Sequence, residues 1–327
     1  MKAVASAPGK VILIGEHFVV YGEPALVMAI NRYIQVCVET RPDPQIYISS
    51  NLGISGFFEE NKFRTICGGE DTMRILEPIK IAAETTMNLL NEKKGLNIEI
   101  ISAIPMGVGL GSSGASAVAT VAAVSTLLRS PLKKEAIVEL STAAERYVHL
   151  NPSGVDQAIS TYGGLISYKK GENLSRIQIS SKIPIIIGNT CLRRNTGRLV
   201  NNVKLMVERF PEVMNPLINI GGKLTPLAIA SLKRGDLREL GELMDFNHGL
   251  LITLGVSTEV LDQLVYAAKR GGAFGAKLTG AGGGGCMVAL SSLDLQEDIA
   301  RSISESGGLP IIAEKNGRGV HSWILEN

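Results

Sequence analysis

Apolar and polar positions alternate at the start of the chain, and the period of the pattern changes several times before its end. Residues 3–20 predict a strand, a turn at Ala7-Pro8-Gly9 and a second apolar strand, VILIG. Residues 26–40 and 45–50, rich in Val, Ile and Tyr, predict two more strands. The stretch 51–75 has no clean period and reads as a long irregular excursion. Pro78 sits where a first helical turn tolerates proline, IKIAAETTMNLLNEK follows at helical spacing, and Gly95 ends that helix. LNIEIISAI then alternates as a strand and runs into PMGVGLGSSGASA, residues 105–117.

The next helix has Ser112 and Ser113 as its expected caps, and its surface is almost all Ala, Val, Ser and Thr. So smooth a helix suits close packing on both sides, which predicts a central position. Residues 133–149 predict another helix, with Ile137, Leu140, Ala144, Tyr147 and Val148 on its apolar side. NPSGVDQAIS and a strand, GGLISYK, come after it. Residues 172–183 are polar and unpatterned, the expected border between a first domain, 1–180, and a second, 181–327. The second half predicts a strand (PIIIG), a helix (TGRLVNNVKLMVERF) and helices around 223–233, 236–251 and 257–270. It closes with strand AKLTGAGGGGCMVAL, helix 294–306 and strand LPIIAEK. Strands separated by helices, with antiparallel-looking pieces early, give an α+β class with two lobes and a cleft between them.

Composition narrows the function classes. With 45% hydrophobic against 20% charged residues over 327 positions, the chain can bury a substantial core. A net charge of +2 makes no case for nucleic acid, which needs a face built from many cations. Cys37, Cys67, Cys191 and Cys286 lie far apart and form no CxxC, against a zinc knuckle, a redox pair or a disulfide scaffold. The start, MKAVASAPGK, reaches glycine and a second lysine before any long apolar stretch, so no signal peptide is expected. The most apolar helix candidate, Ala115–Leu128, is shorter than the roughly 20 residues of a membrane span. A reducing, cytoplasmic setting without a membrane partner is the expectation.

The candidate chemistry starts at the first glycine segment. Walker A requires a lysine that is missing here. Gly109, Gly111 and Gly114 do satisfy GxGxxG, but a dinucleotide fold also wants an acid after the next strand, and the first acid is Glu135, inside the following helix. A phosphate cradle asks less. Backbone N–H groups exposed by glycines, backed by the positive end of a helix starting at Ser112, surround an anion. Close packing without a ligand is the third reading. In the second cluster, KLTGAGGGGC (277–286), five of the six residues 280–285 are glycine. Alone it reads equally as a flexible turn or a ligand-approach loop; with the first cluster, two walls of one polyanion pocket is the better reading.

Glu145 and Asp156 flank the NPSG turn, which can fold both toward one site beside Ser112 or Ser113. Magnesium prefers one or two carboxylates plus hydroxyl, water and phosphate oxygens. The bland alternatives are a solvated helix residue for Glu145 and a helix cap for Asp156. Lys10 follows the APG turn; it is either simply exposed or faces phosphate and pairs with Asp156. Glu16 and His17 close an otherwise buried strand, an awkward place for polar side chains without a task. His149, His248 and His321 are too scattered for a histidine metal site. No G-x-S-x-G elbow is present, which lowers serine hydrolase chemistry.

SAPGKVILIGEHFVVYG (6–22), PMGVGLGSSGASA and KLTGAGGGGC resemble, in order and spacing, the three motifs of the GHMP small-molecule kinases. Within that superfamily EHFVVYG, HLNPSGVDQAIS (149–160) and NTCLRRNTGRLV (189–200) are similar to mevalonate kinases, and DFNHGLLITLGVS (245–257) matches them more loosely. Galactokinases typically show arginine and asparagine in place of Lys10 and Ile12. The resemblance implies an N-terminal domain like the second domain of ribosomal protein S5 and a ferredoxin-like C-terminal domain, with ATP and substrate between them. It implies Asp156 as the catalytic aspartate and Lys10 as its charged neighbour, with Glu145 and Ser113 as ligands of Mg2+. Pro105, Gly107, Gly109, Leu110, Gly111, Ser112, Ser113, Gly114 and Ala115 would wrap the ATP phosphates, and Gly282 and Gly283 would form the opposite wall. Glu16, His17 and Thr196 fall on the mevalonate side.

The implied reaction is transfer of the γ-phosphoryl group of ATP to the 5-hydroxyl of (R)-mevalonate in isoprenoid biosynthesis, by a homodimer. Two departures stand out. Phe18 occupies a position where many relatives have alanine, and would reshape the substrate entrance; Gly114 replaces a common alanine, and would loosen the helix start. They leave room for a sister activity, such as phosphomevalonate kinase, mevalonate 3-kinase or the related decarboxylase. An NAD(P)-linked oxidoreductase and a catalytically inactive binding protein are the alternatives of another class.

Overall fold

The computed structural model describes residues 1–59, 62–105, 107–146, 154–192 and 196–326. The chain opens with two long antiparallel strands, β1 (Lys2–Ile14) and β2 (Ala25–Arg41). The expected turn at Ala7-Pro8-Gly9 is instead a bulge inside β1, where pairing with β2 passes from Pro8–Tyr33 to Lys10–Ala29. Only glycine fits at its centre: a Cβ on Gly9 would stand 2.6 Å from Ile104 Cδ1 and 2.8 Å from Leu110 O. Beyond the bulge, the Lys10 N–H leaves the ladder and donates to Leu110 O at 2.9 Å, tying β1 to the first glycine segment.

β3 (Ile46–Ser50) follows as expected. The stretch expected to be irregular forms a hairpin of β4 (Ile54–Glu59) and β5 (Lys62–Cys67), with Phe58 and Phe63 paired across it at 4.6 Å between ring centroids. Its pattern is faint because β5 is a mostly exposed edge strand with no face to keep apolar. Helix α1 (Thr72–Leu89) starts ahead of Pro78, which lies inside it, and Gly95 opens the next strand, β6 (Gly95–Ser102), rather than closing the helix.

Helix α2 (Ser112–Leu127) is central, as its small side chains predict. It packs on β1 and β2 and touches α1, α3 (Lys134–Arg146) and α4 (Val155–Tyr162), with Ala115 and the run Ala117–Ser125 buried. Tyr147, Val148 and His149 lie outside the described residues. The short strands β7 (Leu165–Tyr168) and β8 (Ser175–Ile177) extend the sheet from β2, so the expected border at 172–183 is not wholly unstructured.

A second, four-stranded antiparallel sheet uses β9 (Pro184–Asn189), with α5 (Thr196–Arg209), α6 (Pro211–Arg234), α7 (Leu237–Thr253) and α8 (Glu259–Arg270) following it. AKLTGAGGGGCMVAL is two strands, β10 (Gly275–Thr279) and β11 (Cys286–Leu290), joined by the glycine loop. Helix α9 (Gln296–Glu305) and β12 (Leu309–Glu314) complete the order β10-β11-β9-β12 of a ferredoxin-like unit. The last strand, β13 (His321–Leu325), returns to the first sheet beside β1, with Val4 opposite Trp323, so segment 181–327 is not confined to one sheet. Among the described residues, no helix is long and apolar enough to cross a membrane.

Helix α6 joins the two halves. Gly221 and Gly222 open a notch in its middle that the Phe18 ring and the Glu23 carboxylate fill: a Cβ on Gly221 would lie 2.5 Å from Phe18 Cδ2. Phe18 is fully buried, so it anchors a helix and does not shape a substrate entrance.

Candidate active site

The bulge in β1, the start of α2 and the start of α4 converge. Lys10 Nζ lies 3.2 Å from Asp156 Oδ1, with the lysine side chain 8% and the aspartate side chain 28% exposed. A short-sided α2 makes this possible, because a Cβ on Gly111 would lie 2.7 Å from Lys10 Cγ and one on Gly114 2.9 Å from Asp156 Cβ. Gly114 therefore makes room for the aspartate.

Gly107, Gly109 and Gly111 have φ of 73°, 93° and 73°, a left-handed run that turns the chain from β6 into α2. The N-cap is Gly111, and no side chain caps the helix, so Ser112 and Ser113 stand in its first turn instead of closing it. Ala115 N–H bonds Gly111 O at 3.0 Å, leaving the amides of Ser112, Ser113 and Gly114 as the ones a helix start offers to an anion. Ala115 is buried with its amide used inside the helix, and Leu110 turns its side chain into the core while its carbonyl holds Lys10. Pro105 is half-buried, Gly107 exposed and Gly109 half-buried along the rim.

Glu145, half-buried near the end of α3, accepts a hydrogen bond from Gln157 Nε2, the neighbour of Asp156 on α4. Ser113 is exposed on the first turn of α2. Among the described residues, no cluster of three His, Cys, Asp or Glu is set to hold a metal on its own. One carboxylate and one hydroxyl fit magnesium only as part of a shell completed by phosphate and water oxygens.

His17 is 6% exposed with Nε2 2.9 Å from Ala281 O, so the first motif touches the second glycine loop. Gly282 and Gly283 pack against the Val256 backbone: a Cβ on Gly282 would strike Val256 O, and the Gly283 N–H donates to Val256 O at 2.8 Å. Leu199 of α5 packs on Gly283, and Thr196 is exposed at the start of that helix. Arg193 and Arg194 lie outside the described residues.

Glu16 is 1% exposed and ion-paired to Lys277. Sequence reasoning missed Lys277, Asn247 and Gln157. The available signal was a lysine inside GAKLT, a strand whose other residues are all small or apolar enough to bury.

Comparison with known proteins identifies the family. Residues 77–164 match the GHMP kinases N terminal domain, residues 228–308 the GHMP kinases C terminal domain, and residues 1–40 a galactokinase galactose-binding signature. The mevalonate kinase of Thermococcus sibiricus is 39% identical over 98% of both chains. That of Pyrococcus horikoshii is 41% identical over 97% of this chain and 96% of its own. The crystal structure of L. major mevalonate kinase in complex with R-mevalonate superposes with a TM-score of 0.83 at 27% identity, covering 96% of each chain. Methanococcus jannaschii mevalonate kinase does so with a TM-score of 0.81, covering 96% of this chain and 98% of its own. With whole-length likeness at this level, the chain belongs to the mevalonate kinases of the GHMP superfamily.

Proposed function

We propose that this chain transfers the γ-phosphoryl group of ATP to the 5-hydroxyl of (R)-mevalonate, giving ADP and 5-phosphomevalonate for isoprenoid synthesis. The observation that carries the reading is the Lys10–Asp156 pair, 3.2 Å apart against the glycine-started end of α2, in a chain 39% identical to a mevalonate kinase along its whole length. The 5-hydroxyl is a primary alcohol and the 3-hydroxyl a tertiary one, so the former meets less crowding in an in-line approach.

Asp156 accepts a hydrogen bond from the acceptor hydroxyl, aims its lone pair, and takes the proton as the new O–P bond forms. Lys10 holds Asp156 in place and offsets negative charge on the moving phosphoryl. The amides of Ser112, Ser113 and Gly114 face the phosphate chain at the positive end of α2. Glu145 and Ser113 supply a carboxylate and a hydroxyl for Mg2+, which when bound neutralises phosphate charge. His17 and Thr196 belong to the acceptor side. Four free cysteines suit a reducing compartment such as the cytoplasm. A two-lobe division near 180/181 and a homodimer belong to the same reading, the latter checked by light scattering.

The galactose-binding signature over residues 1–40 favours a second reading, another GHMP kinase, but Lys10 and Ile12 stand against a galactokinase. A coupled ADP-release screen over mevalonate, mevalonate 5-phosphate, galactose and homoserine decides between them. Phosphorus NMR of the product then separates 5- from 3-phosphorylation. Turnover on any of the other three alcohols with none on mevalonate would reject the proposal.

A further inference from the structure

The two sheets meet at a pair of charges that sees no solvent. Glu16, just past β1, and Lys277, on β10, have side chains 1% and 0% exposed and form an ion pair. Lys277 Nζ also donates to Leu278 O at 2.7 Å. Asn247, on α7, donates from Nδ2 to Glu16 Oε2 at 3.3 Å and accepts the Gly15 N–H on Oδ1 at 3.1 Å. Two residues beyond Lys277, the Thr279 hydroxyl accepts from Ile12 N–H at 3.1 Å and contacts Ile12 O at 3.2 Å. The end of β1 is therefore held from α7 and from β10 at once.

The backbone is strained at the next residue. His17 has φ 61° and ψ −43°, a conformation that a residue with a Cβ keeps only where its surroundings impose it. Its ring meets Ala281 O at 2.9 Å, inside the second glycine loop. The clasp is costly as well. Burial pushes the Glu16 carboxyl up and the Lys277 ammonium down, while Lys277, and more weakly Lys10, pull Glu16 back toward its charged form. Apolar side chains of similar volume often replace such a pair without loss of stability, so stability alone does not account for two charges here.

We infer that Glu16, Lys277 and Asn247 are positioning residues that lock the Gly15–His17 backbone in its strained form and so hold the His17 imidazole at a set place against the Ala281 loop. The inference rests on the reading of His17 as an acceptor-side residue. The clasp shapes the alcohol pocket before substrate arrives and leaves the phosphate end at α2 untouched.

The double variant Glu16→Leu/Lys277→Met removes both charges and roughly keeps the volume. The expected result is a melting temperature close to wild type, an unchanged KM for ATP, and a KM for mevalonate raised about 10- to 100-fold, the scale of a small misplacement in a reacting pair. The His17 ring signal in nitrogen-edited NMR should shift as well. A double variant that melts normally and keeps the wild-type mevalonate KM and His17 signal overturns the inference. Should it melt early, Asn247→Leu gives the answer with the ion pair intact: a raised mevalonate KM alone supports the clasp, and two unchanged KM values reject it. Wild-type enzyme inactive on mevalonate would sink the functional reading instead, and the His17 signal would still report on the clasp.

Discussion

Gly114 and Asp156 pack so closely that a single methyl group between them has no room: a Cβ on Gly114 would stand 2.9 Å from Asp156 Cβ and 3.2 Å from its backbone carbon. The first turn of α2, proposed to receive phosphate, thus sets the position of the carboxylate proposed to meet the alcohol.

Gly114→Ala should lower kcat about tenfold, and Gly114→Val more, by pushing Asp156 out of line with the phosphoryl group. Glycine to alanine in a helix ordinarily adds about 0.4–1 kcal/mol of stability. A melting temperature that fails to rise in Gly114→Ala would register the clash. Wild-type turnover in Gly114→Val would show that Asp156 tolerates displacement and would remove it from its assigned role.

Asp156→Ala should reduce kcat by about 10²- to 10⁴-fold, the range for a lost general base, and change either KM far less. Lys10→Met should move kcat in the same direction. Because the two side chains form one unit at 3.2 Å, their losses should not add in the double variant. Steady-state kinetics of the three proteins, set out as a cycle, measures the coupling, and strict additivity would mean that the pair does not act together.

Phe18→Ala empties the notch at Gly221 and should cost about 3–5 kcal/mol in urea unfolding, as buried phenylalanine truncations do. The mevalonate KM should stay within a few-fold of wild type, since Phe18 is fully buried against α6. A large change in KM without loss of stability would return Phe18 to the substrate entrance.

His248 supplies a pH dependence. Burial lowers its pKa below the ordinary 6.5, against the opposing pull of Asp262, whose Oδ1 lies 3.3 Å from Nε2. The folded protein therefore prefers the neutral ring and the unfolded chain binds the proton more readily. Stability from this site is fully present above the ordinary 6.5 and is lost as pH falls from there toward the lower folded-state value. Melting temperature followed from neutral to mildly acid pH should fall, and His248→Gln should flatten that slope. His321, also lowered by burial, contributes in the same direction, so a residual slope is expected and an unaltered one is not.

Local rules account for much that could be read directly. The glycines before α2 take positive φ, Asp236 caps α7 through the Glu239 N–H at 3.0 Å, and Thr258 caps α8. The smooth helix is central because small side chains let strands and helices approach it from several sides. Lys10, Asp156 and the first glycine segment were legible as one site because their chemistry requires company.

Residues whose setting is made by distant parts of the chain were not legible. Glu16 reads as a cleft acid until Lys277, 261 positions away, takes its charge into the interior. Phe18 reads as a pocket residue until Gly221 receives its ring, and His321–Leu325 carries too weak an alternation to announce a strand before β1 offers its edge. By itself the sequence determined the periods, turns and reactive groups, because those follow from each residue and its near neighbours. Only the tertiary structure decided which charges are buried, which amides remain free and which side chain fills which notch, because those depend on water being excluded by segments that meet only after the chain has folded.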